Sequence, residues 1–267
     1  MSKPKNSNVS TLATALILCL ICSVLVSVAA VSLKPKQLSN VQIDRNKNIL
    51  MAANLFDPTK DAASVVEERF KNVETKIINT QSGAFATEDE LTKAGITNID
   101  AYDPAKAAKS DELGVKLGDD DPARVGAVPK YAKVYLLKDE SGKIKNIILP
   151  INGYGLWGQI YGFITLQSDI NTIEGISFYQ HKETPGLGAL IEEVDWRAKW
   201  NGAKTYNDSF DKVTIGVSKA GSPQPGKIDG ISGATLTSAG VNNMVQFWLG
   251  ERAFKPFLDN LRNGKEG

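Results

Sequence analysis

From Asn6 to Leu33 the chain carries no charged side chain, and Val9–Leu33 consists only of Val, Leu, Ile, Ala, Cys, Ser and Thr. Twenty-five helical residues extend about 37 Å at 1.5 Å each, more than the roughly 30 Å of a bilayer's hydrocarbon core. A secretory signal would pair an apolar core of about 7–15 residues with small residues at a cleavage site. Ala29-Ala30 supplies small residues, but the run is too long for that role. The sequence therefore predicts a tail at residues 1–8 and an uncleaved transmembrane anchor at 9–33. Lys3 and Lys5 precede the span, whereas Lys34, Lys36, Arg45 and Lys47 follow it. Loop charge does not fix its orientation.

The other signals are sparse. Cys19 and Cys22 are the two cysteines, both inside the span. Three residues apart, they share a helix face, where they could serve as a thiolate pair for a metal or as small helix-packing residues. The rest of the chain has no cysteine, which removes a disulfide framework and any Cys-based iron–sulfur or zinc site there. One histidine, His181, leaves no His-cluster metal site and no Ser-His-Asp triad. Asp119-Asp120-Asp121 before Pro122 reads as a solvated turn. With 31 basic against 30 acidic residues and no basic patch interleaved with aromatics, nothing points to nucleic acid.

After a polar juxtamembrane segment, residues 34–56, a single soluble domain is expected over 57–267, about the size at which one core is well buried. Val65, Val66, Phe70, Val73 and Ile77 predict a helix over Thr59–Ile78. Thr87 and Glu90 form a possible capping box. Residues 99–130 suggest helical turns and loops. Strand character follows at Tyr131–Leu137, Ile144–Leu149, Gln159–Leu166, Asn171–Tyr179 and Lys212–Ser218, with a hairpin loop at 139–143. Adding a helix at Ala189–Trp200 and two near the end, the expected fold is α+β: a mainly antiparallel sheet flanked by helices behind one transmembrane helix.

Three small-residue loops stand out. Asp229-Gly230-Ile231-Ser232-Gly233-Ala234-Thr235 places one hydroxyl, on Thr235, ahead of an apolar helical pattern (Val241, Met244, Val245, Trp248) for which Thr237 or Ser238 would serve as N-cap. Amides at such a terminus favour a phosphate, although many such clusters are only capping turns. His181-Lys182-Glu183-Thr184-Pro185-Gly186-Leu187-Gly188 combines a fixed φ at Pro185 with two glycines. That combination suits a flat ring lying against main chain, or simply a turn before a helix. Gly153-Tyr154-Gly155-Leu156-Trp157-Gly158 sets two aromatics among glycines, either for contact with a ligand or partner or as a strand-end core residue.

Asp-x-x-Ser-Gly-Ala-Thr resembles the attachment motif of the FMN-binding domain family, and Glu-Thr-Pro-Gly-Leu-Gly is similar to its upstream flavin-contacting segment. Over its full length, including Lys-Asn-Ile-Leu at 47–50 and Gly-Leu-Trp-Gly, the chain resembles the C subunit family of the sodium-translocating NADH:quinone reductase. The resemblance implies FMN joined to Thr235 by a phosphoester made by a flavin transferase. Asp229, Ser232, Gly233 and Ala234 would form the binding loop, with Glu183, Thr184, Gly186, Leu187 and Gly188 at the ring and His181, Trp157 and Lys227 nearby. It implies electron relay from NADH toward ubiquinone beside other membrane, flavin and iron–sulfur subunits, with the soluble domain on the periplasmic side of a bacterial inner membrane. The chain alone would not oxidise NADH. The related flavin subunit of a ferredoxin:NAD oxidoreductase complex, and a membrane-anchored binding or assembly domain without cofactor, are the alternatives. The first is set apart by neighbouring subunits, the second by the absence of covalent flavin.

Overall fold

The computed structural model describes residues 8–264. Residues 1–7, which hold most of the expected tail with Lys3 and Lys5, and residues 265–267 lie outside the described part. The chain divides into two compact units, one ending at Arg45 and one running Asn46–Gly267.

Helix α1 (Asn8–Ala52) is long and apolar enough to cross a membrane. Three of its hydroxyls are satisfied locally. The hydroxyls of Thr14, Ser23 and Ser32 donate to the carbonyls of Ser10, Leu20 and Ala29 at 2.9, 2.9 and 3.0 Å. Hydroxyls bonded back to their own helix can sit among lipid tails without an unmet hydrogen bond. Cys19 and Cys22 are both exposed on this helix. The polar segment after the span is helical as far as Ala52, and its last residues enter the second unit's core: Ile49, Leu50 and Ala52 are fully buried. Ser177 fastens this turn by donating to Asn48 O at 2.8 Å.

Next come α2 (Val65–Phe70) and β1 (Val73–Asn79). The expected helix over 59–78 is corrected here. Its second half is a strand, because Val73, Thr75, Ile77 and Ile78 give β-branched character and Val73–Asn79 pairs antiparallel with Tyr131–Leu137. Helix α3 (Glu88–Lys93) begins with the predicted capping box of Thr87 and Glu90. The short α4 (Pro104–Ala107) and the hairpin β2 (Gly114–Lys116) with β3 (Ala127–Pro129) follow.

The centre is a five-stranded antiparallel sheet in which β1 adjoins β4 (Tyr131–Lys138), then β5 (Ile144–Tyr154), β6 (Gln159–Gln167) and β7 (Ile173–Gln180). Successive residues of a strand face opposite sides. Val134 and Leu136 accordingly join the larger core with Val241, Met244 and Trp248, while Tyr135 and Leu137 join Ile49, Leu50 and Phe56 on the other face. Both faces are covered, one of them by the end of α1.

The expected helix 189–200 is a 3₁₀ turn (Gly188–Glu192) followed by α5 (Val194–Ala198). Lys212–Ser218 is mostly irregular. Only β8 (Val217–Ser218) is strand, and it pairs in parallel with β9 (Ile228–Asp229). Helices α6 (Thr235–Trp248) and α7 (Lys255–Arg262) complete the domain. Helix α6 lies hard against β5 at Gly240, where an added Cβ would sit 2.4 Å from Tyr154 O. That approach holds the N-terminal turn of α6 beside the turn that joins β5 to β6.

Candidate functional site

The three small-residue loops, far apart in sequence, meet at the N-terminus of α6. Thr235 is its first helical residue and is exposed. The helix thus begins ahead of the expected caps, because both hydroxyls are committed elsewhere. Ser238 Oγ accepts the Ile231 N–H at 3.0 Å, and Thr237 Oγ1 donates to Glu183 Oε2. Among the described residues no side chain caps this terminus. The first-turn N–H groups therefore face outward with the positive end of the helix dipole, an arrangement that suits a phosphate.

The loops that meet here and the first turn of α6 carry apolar side chains left open to solvent. Leu156, Trp157, Leu187 and Leu236 are 41%, 60%, 44% and 61% exposed. Leu187 reaches Gly233, whose φ is +78° and whose added Cβ would stand 3.1 Å from Leu187 Cδ2. Trp157 is a surface residue and not a core aromatic, and its indole N–H donates to Thr184 Oγ1 at 3.1 Å. Such a ring, held by one hydrogen bond and otherwise open, can lie against a planar ligand.

Glu183 differs from the neighbours grouped with it. Its side chain turns inward and is 5% exposed. Oε1 accepts the N–H groups of Leu156 and Trp157 at 3.1 and 3.0 Å, while Oε2 receives Thr237. One carboxylate therefore ties together the β5–β6 turn, the 183–188 loop and the first turn of α6. Gly188 makes room for it: a Cβ there would stand 2.8 Å from Glu183 Oε2 and 2.5 Å from Thr237 Oγ1. Gly186 is open, with φ +75° and nothing within 4 Å of an added Cβ.

The remaining candidates are braces. His181 is largely buried, its Nδ1 accepting the Glu183 N–H at 3.1 Å. Its Nε2 lies 2.9 Å from Glu192 Oε1 but off the hydrogen-bonding direction. Asp229 caps a neighbouring turn through the Gly221 N–H at 3.1 Å, and its carbonyl receives the Trp196 indole N–H at 3.0 Å. Lys227 closes the turn before β9 through its backbone. Ser232 is exposed beside Gly233. The sequence did not point to Leu236. Its signal was a large apolar residue at the start of a helix whose inward face is filled by Thr237 and Ser238.

The family model for the FMN-binding domain matches residues 155–250, which take in the loops at 181–188 and 229–235 whole and the one at 153–158 from Gly155 on. The C subunit of the Na(+)-translocating NADH-quinone reductase of Pseudomonas aeruginosa is 40% identical over 98% of both chains. The Yersinia pestis protein of the same name is 38% identical over 98% of this chain and 97% of its own. The crystal structure of Shewanella oneidensis NqrC superposes with a TM-score of 0.71 at 29% identity, covering 82% of this chain and 96% of that one. The C subunit of the Parabacteroides distasonis reductase gives 0.64 at 28% identity, over 85% and 96%. The chain belongs to the C subunit family of the Na(+)-translocating NADH-quinone reductase, with an FMN-binding domain at its C-terminal side.

Proposed function

We propose that the chain carries FMN through a phosphoester to Thr235, made by a flavin transferase, and relays electrons from NADH toward ubiquinone within a sodium-pumping membrane complex. The observation that carries this reading is exposed Thr235 on the uncapped first turn of α6, where the loops that bear exposed Leu156, Trp157 and Leu187 are tied to the helix through Glu183 and Thr237. These residues fit the group: free amides meet a phosphate, and an apolar rim meets a ring system. FMN, when bound, supplies redox chemistry that no side chain here can perform. The chain's own work is to hold it. Thr235 provides the oxygen of the bond, the first-turn N–H groups neutralise the phosphate, and Trp157, steadied by Thr184, flanks the ring. Leu187 and Leu236 exclude water on either side.

The soluble domain is assigned to the periplasmic face of a bacterial inner membrane, where the transferase implied by the resemblance works. Residues 9–33 contain no Asp, Glu, Lys, Arg or His, and intramembrane ionisable groups are the usual mark of an ion path. Sodium is therefore carried by partner subunits. The test is Thr235→Ala in cells that express the transferase. Denatured wild-type protein should fluoresce in a gel under ultraviolet light and the variant should be dark, with melting unchanged. A fluorescent variant would refute the attachment, and a colourless wild type would favour a cofactor-free binding domain.

A further inference from the structure

We propose that the buried Glu183 carboxylate is a fixed negative charge that lowers the reduction potential of the flavin at Thr235, acting from behind the site; this rests on the flavin reading above. Glu183 is 5% exposed and its three hydrogen-bond partners, two backbone N–H groups and the Thr237 hydroxyl, are all uncharged. Both oxygens are met by donors, the two backbone N–H groups on Oε1 and the Thr237 hydroxyl on Oε2, which is the acceptor-only pattern of a carboxylate. The N-terminal end of α6 offsets part of the charge, but among the described residues no ion pair reaches the carboxylate, Arg124 donating instead to Gly155 O at 3.2 Å.

A brace alone does not need this charge. Glutamine has the same length, its carbonyl could accept both N–H groups, and its amide could meet Thr237 Oγ1. What glutamate adds is the charge, and a buried charge without a counter-ion is costly to keep. Two glycines enclose the group: an added Cβ at Gly155 would stand 2.5 Å from Oε1, and one at Gly188 2.8 Å from Oε2. The carboxylate is thus held rigidly, screened from water, and only two residues from Thr235 through Thr237. Electrostatic effects in such a setting exceed those at a solvated surface. Reduction brings electron density to the ring, and a negative charge behind it opposes that.

The experiment is potentiometric titration of the full chain, loaded with flavin by co-expression with the transferase and followed by flavin absorbance. Glu183→Gln keeps the acceptor for the two N–H groups, reverses the bond to Thr237 and removes the charge. Its potential should rise by at least a tenfold displacement of the oxidised–reduced equilibrium, about 30 mV for a two-electron couple. Glu183→Asp keeps the charge and loosens the hydrogen bonds, so it should melt lower at wild-type potential. Glu183→Gln at the wild-type potential, or Glu183→Asp shifted as far as it, would overturn the proposal. If Glu183→Gln gives no folded protein, Glu183→Met, uncharged and of similar length, is titrated in its place, a raised potential supporting the proposal and a wild-type potential overturning it. Failure of the flavin reading is distinct, because wild-type protein would then carry no covalent flavin to titrate.

Discussion

Gly188 and Gly186 are two residues apart in one loop, yet the structure gives them opposite tolerances. An alanine Cβ at Gly188 would meet Thr237 Oγ1 at 2.5 Å, Glu183 Oε2 at 2.8 Å and Glu183 Cβ at 2.9 Å. None of these is the free end of a flexible chain, so the Thr237–Glu183 hydrogen bond must break. A hydrogen bond to a charged group contributes about 1.5–3 kcal/mol and overpacking costs about 1–3 kcal/mol, giving about 2.5–6 kcal/mol together. For a domain of this size each kcal/mol lowers the melting temperature by about 2–4 °C, so Gly188→Ala should melt about 5–24 °C below wild type, centred near 13 °C. At Gly186 an added Cβ meets nothing within 4 Å, and only the φ of +75° resists it. That strain is about 1–2 kcal/mol, a fall of only a few degrees. The assay is tryptophan-fluorescence melting of the full chain in detergent. If Gly186→Ala melts as low as Gly188→Ala, the buried Glu183 network is not what this loop protects.

Leu50→Ala, in the last turns of α1, should cost about 2–5 kcal/mol by chemical denaturation, because Leu50 is fully buried against the sheet. A loss under 1 kcal/mol would mean that this turn is not part of the core. Asp169 gives a pH signature: burial pushes its carboxyl up, but Thr172, Asn171 and Lys204 outweigh that and pull it from 3.8 down to about 2. A lowered folded value gives stability above about pH 4 that is lost as pH falls toward 2, so the melting gap between wild type and Asp169→Asn should narrow over that range. Its side chain is 45% exposed, so the contribution is about 1 kcal/mol at most. For topology, alkaline phosphatase fused to the C-terminus should be active and a fusion fluorescing only in the cytoplasm dark; the reverse pair would place the domain inside.

Strands bounded by polar turns were legible because alternation and β-branched residues coincide, as in Tyr131–Lys138 and Gln159–Gln167. The capping box at Thr87 was legible because both of its bonds lie within four residues. The misplaced elements are those decided at long range. Val73–Asn79 continues a helical spacing and becomes a strand only because β4 is there to pair with it. Helix α6 starts at Thr235 because the hydroxyl of Thr237 is taken by Glu183 and that of Ser238 by the Ile231 amide. Ile49 and Leu50 look isolated in a polar segment, and their burial depends on a sheet face assembled from residues 73–163. The site followed the same rule. Its three loops could be picked out by their glycines, but the inward turn of Glu183 required all three to be in place.

The central claim is that Thr235 bears the flavin, and peptide mapping by mass spectrometry tests it most directly. Wild-type chain co-expressed with a flavin transferase should be digested, and the flavin-bearing peptide fragmented to locate the added mass. The account predicts FMN on Thr235 alone, the exposed hydroxyl of the first helical turn. Mass on Thr237 or Ser238, whose hydroxyls are buried and hydrogen-bonded, would contradict it.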